Sequence, residues 1–137
     1  TTLFRSEGAP AVRAENSIGE VVIGLAIRVH RELGPGLLES AYEACLAYEF
    51  ERNRIRFLRQ HSLPVIYDGR RIDAGFRVDF VVADCVVLEL KAVDRLLPIH
   101  NAQLLTYLRL SGLKLGYILN FNARIMKDGI RRLANHL

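Results

Sequence analysis

Three ionisable residues stand where apolar ones would pack better. In the run Arg77-Val-Asp-Phe-Val-Val-Ala-Asp-Cys-Val-Val-Leu-Glu-Leu-Lys-Ala-Val93, Asp79 interrupts one Val/Phe-rich segment, and Glu89 and Lys91 interrupt the next. Residues two apart on a strand share a face, so Glu89 and Lys91 are neighbours by construction while Leu90 points the other way. Asp79 joins them if the two segments form a hairpin of suitable register. A three-residue loop, Ala83-Asp84-Cys85, sets Asp79 opposite Glu89. A two-residue loop puts the carboxylates on opposite faces unless a bulge restores the register. Two carboxylates side by side repel and lose hydration, which drives one towards protonation. A divalent cation between them removes that cost, and Mg²⁺ is content with a few carboxylates plus water and phosphate oxygens. Such an ion polarises a phosphoryl oxygen and acidifies water. A lysine ammonium beside it orients the water or offsets charge developing on phosphorus. These are the residue types of metal-assisted phosphodiester hydrolysis. The plainer reading is an exposed Glu-x-Lys ion pair worth about 0.2–1 kcal/mol and implying no chemistry. The apolar flanks of both segments weigh against it.

The elements that must carry these residues follow from periodicity. Residues 1–15 lack it and hold Gly8 and Pro10, so they read as a loosely attached flexible arm before a domain at 16–137. Ser17-Ile-Gly-Glu20 matches a capping box, predicting a helix start there, with Val22, Leu25, Ala26, Val29 and Leu33 on its apolar face. Gly34-Pro35-Gly36 ends that helix, and Leu38, Tyr42, Cys45, Leu46 and Phe50 support a second from about Leu37 to Arg52. The period then changes to two. Phe57 to Tyr67 reads as a strand bent at Pro64, and Asp68-Gly69 as a hairpin turn. A short strand at Arg70 to Ala74 and two stronger ones at Phe76 to Val82 and Val86 to Val93 follow. Pro98 opens a helix to about Leu110, Leu115 to Phe121 is another strand, and Arg124 to Leu137 reads as a turn and helix. The order α-α-β-β-β-β-α-β implies an α/β fold, a mixed central sheet flanked by helices.

Bulk properties narrow the class. At 137 residues the chain forms one domain with a proper core, and half its residues are hydrophobic. The net charge of +4 is carried mostly by arginine, since Lys91, Lys114 and Lys127 are the only lysines. Arginine's planar fork suits phosphate, which is compatible with a nucleic-acid partner. Cys45 and Cys85 lack metal-ligand spacing and read as reduced, buried hydrophobes. With no signal sequence and no apolar run of bilayer length, a cytoplasmic location without membrane association is expected.

A wider set of residues carries a resemblance. Gly34-Pro35-Gly36, Gly36-Leu-Leu-Glu39-Ser-Ala-Tyr42 followed by Glu43, Asp79, Glu89-Leu-Lys91, Gln103-Leu-Leu-Thr-Tyr107 and Gly116-Tyr-Ile-Leu-Asn-Phe-Asn122 together resemble the PD-(D/E)xK nuclease superfamily, of restriction-endonuclease-like fold. More narrowly the chain is similar to the bacterial GxxExxY proteins, from about Ser17 to Arg132. The resemblance implies that Asp79 and Glu89 bind metal, that Lys91 is the catalytic lysine, and that Glu39 is an additional acid beside the metal. It also implies that Gln103 and Tyr107, on one helix face by their spacing, shape the site as in RecB-like nucleases. Val78 stands where the superfamily's name has a proline.

Each added residue has a plainer explanation. Glu39 and Glu43 suit the positive end of a helix, Tyr42 suits a helix core, and Gln103 suits a solvated face. His100, beside Pro98, either contacts phosphate or caps the helix. Arg52, Arg54, Arg56 and Arg59 form either a phosphate-binding stripe or a solvated helix end. The expectation is a Mg²⁺-dependent phosphodiesterase, with Mn²⁺ substituting, that cuts nucleic acid, DNA favoured over RNA. The alternative is a non-cleaving nucleic-acid-binding or protein-interaction module on a nuclease-like fold. A homodimer or a partner protein is a further expectation, since so small a chain offers little surface for choosing a sequence.

Overall fold

The computed structural model describes residues 11–137. Its elements are α1 (Ala11–Leu33), α2 (Glu39–Arg52), β1 (Phe57–Tyr67), β2 (Arg70–Val82), β3 (Val86–Lys91), α3 (Pro98–Ser111), β4 (Leu115–Asn120) and β5 (Ile130–Ala134), with a 3-10 turn at Met126–Gly129 leading into β5. The five strands lie in one sheet in sequence order. All neighbours are antiparallel except β3 and β4, which run parallel with α3 as the crossover.

Pleat parity decides the layers. Leu88 and Leu90 point with Phe80, Val82 and Leu119 to one side, under Ile18, Val22, Ala26, Leu46 and Phe50 of α1 and α2. Val87 points with Val81 and Ile118 to the other, under Leu104, Tyr107 and Leu108 of α3. Every residue of β4 is buried, as a central strand covered on both faces requires. Glu89 shares the parity of Val87 and therefore emerges on the α3 side, near the C-terminal end of β3.

Three expectations about elements need correction. The first helix begins at Ala11 rather than Ser17, because buried Ala14 and Ile18 extend the Val22/Ala26/Val29 stripe upstream while Ser17 lies exposed in mid-helix. Residues 11–15 of the expected arm are thus helical, and residues 1–10 lie outside the described residues. The segments Arg70–Ala74 and Phe76–Val82 are one strand, β2. Its register against β1 shifts between Leu63 and Val65, beside Pro64. Gly75 makes that bulge possible, since a Cβ there would run into the Leu63 carbonyl. The chain end forms β5 rather than a helix. Ile130 and Leu133 are three apart, a helical spacing, but on a strand this puts one apolar side chain on each covered face. It also satisfies the outer edge of β4. Among the described residues no helix is long and apolar enough to cross a membrane.

Candidate active site

The hairpin that brings the acidic residues together turns through three loop residues. Ala83 (φ 51°) and Asp84 (φ 58°) take the left-handed backbone of a type I′ turn, and Cys85 adds the third residue before Val86 pairs with Val82. Continuing the register past Phe80 and Leu88 sets Asp79 opposite Glu89. There the ladder passes through side chains. The Asp79 N–H donates to Glu89 Oε1 (3.1 Å), and the Leu90 N–H donates to Asp79 Oδ2 (2.7 Å). Each carboxylate is fixed by the other strand's backbone. Lys91 Nζ lies 3.9 Å from Glu89 Oε2, and both side chains are about four-fifths buried, with 21% and 20% exposed. Burial and the Asp79 charge push Glu89 up to about 7 against the opposing pull of Lys91 and the Asp79 N–H.

Glu39 enters from α2. Burial raises its pKa, the Lys91 ammonium opposes this, and Asp79 adds to it; the Ala92 N–H bonds to its carboxylate. Its aim is set by the loop before it. Gly36 sits at φ 104°, a conformation that side chains rarely adopt. Tyr42, fully buried, stacks on Phe121 at 4.6 Å. Its Oη donates to the Gly34 carbonyl (2.6 Å) and accepts from the Leu37 N–H (3.1 Å). The spacing Gly36–Glu39–Tyr42 thus has a mechanical reading: the glycine makes the turn, the tyrosine clamps it, and the acid at the first helical position is presented to Lys91. Tyr42 is core, as its plainer explanation has it.

On the α3 side, Tyr107 is buried, and burial and then the Glu89 charge raise its phenol pKa. Gln103, one turn earlier and exposed, lines with Tyr107, Glu89, Phe76 and Arg77 a cavity of about 330 Å³. His100 caps the helix. Its Nδ1 accepts from the Leu97 N–H (3.0 Å), and burial and the Lys91 charge lower its pKa. Pro98 at the helix start has no N–H to leave unsatisfied.

The structure does not gather the Arg52, Arg54 and Arg56 series around these residues. Arg52 pairs with Glu49 (3.7 Å), and Arg56 with Asp84 (3.2 Å) at the hairpin loop. Arg54 lies in the turn after α2, whose length separates this end from Glu39 by roughly 20 Å. Arg59 does reach the site side, donating to Glu43 Oε2 (2.7 Å).

Two further residues border the site, Gln60 and, within the Gly116–Asn122 run, Asn120. Gln60 interrupts β1 with left-handed backbone (φ 54°), and its Nε2 donates both to Glu43 Oε1 (2.7 Å) and to Asp79 Oδ1 (3.0 Å). Nothing in the sequence marks it, because a Gln in a strand ordinarily faces water. Asn120 is buried at the end of β4. Its amide accepts from the Val93 N–H (3.1 Å) and donates to the Val93 carbonyl (2.9 Å), clamping the chain just after Lys91. A single polar residue closing an otherwise apolar strand was its available signal.

Among the described residues no three or more His, Cys, Asp or Glu side chains form a set able to hold an ion. Asp79 and Glu89 nevertheless fit a hard divalent cation: they offer carboxylate oxygens only, and burial and the Asp79 charge, which raise the Glu89 pKa, are costs that a bound cation would offset. Residues 16–133 match the PD-(D/E)XK nuclease superfamily. The chain belongs to that superfamily, and its single small domain has the restriction-endonuclease-like α/β fold. Nucleases of this superfamily generally use divalent metals, and their substrate is nucleic acid. Comparison with curated proteins and with solved structures gives no significant match.

Proposed function

We propose that the chain is a Mg²⁺-dependent phosphodiesterase that cuts nucleic acid, with DNA favoured over RNA and Mn²⁺ able to substitute. The observation that carries this reading is the mutual anchoring of Asp79 and Glu89 across β2 and β3 with the Lys91 ammonium alongside. Asp79 and Glu89 would hold the ion, which when bound supplies charge stabilisation at the phosphoryl group and acidifies water. Lys91 donates hydrogen bonds to the attacking water or to a phosphoryl oxygen and offsets charge that grows on it. Glu39 completes the acidic wall on the α2 side, where the Ala92 N–H steadies it. Tyr107 seals the α3 side of Glu89 against solvent, and Gln103 lies beside the incoming strand at the mouth of the cavity. The run Gly36–Tyr42 supports the narrower kinship with GxxExxY proteins, and small size supports self-association or a partner protein as the source of sequence choice.

The test is cleavage of plasmid DNA, and of RNA, by purified protein with Mg²⁺ or Mn²⁺. Lys91→Ala and Asp79→Ala are each expected to lower the rate by roughly 10²–10⁴-fold. Cleavage that survives both substitutions sinks the reading. Salt-dependent binding without cleavage under either metal supports the non-cleaving module instead.

A further inference from the structure

A second feature of the same sheet end has no part in the centre described above. Beyond the C-terminal ends of the parallel strands β3 and β4, a concavity of about 400 Å³ opens between the end of α1 and the segment leading to β5. Arg31, Arg124 and Lys127 line it, with Ile27, His30 and Ile125 among the rest. The three cations are exposed, and none makes an ion pair among the described residues. Arg31 lies in the last turn of α1, where the helix dipole favours a cation, but that accounts for neither Arg124 nor Lys127. The segment 122–132 holds Arg124, Lys127, Arg131 and Arg132 against one acid, Asp128. By contrast, Arg52, Arg56 and Arg59 each have an acidic partner, in Glu49 (shared with Arg28), Asp84 and Glu43.

The concavity is tied to the candidate centre by one main-chain bond and one side-chain bond. The Phe121 N–H donates to the Lys91 carbonyl (2.8 Å), and His30 Nε2 bonds the Ala123 carbonyl (2.7 Å). The chain that follows His30 passes through the Gly34–Gly36 loop to Glu39, so the same stretch of chain leads from the concavity to the centre. We infer that Arg31, Arg124 and Lys127 form the track for the phosphate backbone of the nucleic acid on its way to or from the Asp79–Glu89–Lys91 centre. The inference rests on the nucleic-acid reading above and names the surface that reading lacks. Three exposed cations on one wall, without an ion pair among the described residues, match a polyanion.

The test measures how affinity for a short fluorescein-labelled DNA duplex, and for its RNA counterpart, depends on salt, with EDTA present to prevent cleavage. The variant Arg31→Gln/Arg124→Gln/Lys127→Gln is compared with a charge-matched control, Arg70→Gln/Arg71→Gln/Arg109→Gln. Each lost phosphate contact lowers the slope of log affinity against log salt by roughly 0.9, so the first variant is expected to lose between about 2 and 3, with affinity down about tenfold or more. The control is expected to lose less than about 1. Thermal melting checks that each variant folds. If the triple variant does not, single Arg124→Gln and Lys127→Gln variants carry the test, each expected to lower the slope by roughly 0.9. Equal losses in both triple variants, or a first variant that binds as the wild type does, overturn the track and leave the nuclease reading standing. A wild-type chain that binds neither nucleic acid overturns both.

Discussion

Burial and the neighbouring Asp79 charge keep the Glu89 proton until about pH 7, whereas the unfolded chain releases it near the ordinary value of 4.5. Between those values the folded state carries more protons than the unfolded one. Stability therefore falls as pH rises through the window, by on the order of 3 kcal/mol in all. Glu89→Gln removes the ionisation, so its melting temperature is expected to gain on the wild type at pH 8 and hardly at pH 4.5. Adding Mg²⁺ at pH 8 is expected to raise the wild-type value and leave the variant's nearly unchanged. A gain of equal size at both pH values would contradict the assignment of the strain to Glu89. Gln60 can be separated into backbone and side chain. Gln60→Gly relieves the left-handed conformation, by about 1 kcal/mol, while Gln60→Ala keeps it. Both delete the amide that links Glu43 to Asp79. Cleavage rates are expected to fall about tenfold in both variants, with Gly the more stable. Rates that follow stability instead would assign Gln60 a structural part only. Asp79, Glu89 and Lys91 could be read from sequence because polar residues in apolar strands stand out. Gln60 could not, because its place beside the site comes from bonds to two distant segments and from a left-handed φ.

The device that presents Glu39 belongs to the loop and helix rather than to the acid itself. Removing the Tyr42 hydroxyl breaks both of its bonds to the loop, to the Gly34 carbonyl and from the Leu37 N–H. Tyr42→Phe is expected to cost about 1–3 kcal/mol in denaturant unfolding and to lower cleavage as Glu39 loses its aim. Full activity in a destabilised variant would show that the clamp serves folding alone. The second helix, the Asp68-Gly69 turn and the strands around Glu89 were legible because periodicity and turn chemistry agree there. The start of α1 was not, since a capping-box pattern at Ser17 is overruled by burial of Ala14 and Ile18. Nor was β5, whose residues form a strand only because β4 has an edge to satisfy. The single strand β2 hid behind Gly75, which looks like a break until the bulge beside Pro64 is seen.

At the scale of the whole molecule, the sheet divides the chain's polar groups between two ends. The hairpin loop, the end of α2 and the paired Arg52 and Arg56 lie at one. Glu39, the Lys91 end of β3, the clamp of Asn120 and the exposed cations of Arg31, Arg124 and Lys127 lie at the other. This follows from β3 and β4 running parallel, which brings the ends of both strands, and the segments that follow them, to one edge. Sequence alone determined the α/β class, the core strands, and the Asp, Glu and Lys that could do chemistry, because alternation and burial are properties of neighbouring residues. Only tertiary structure decided that Gln60 links Glu43 to Asp79, that Arg52 and Arg56 have acidic partners, and that Arg31 shares one wall with Arg124 and Lys127. Those are meetings between distant segments, and a meeting depends on register and crossover geometry that local pattern does not encode.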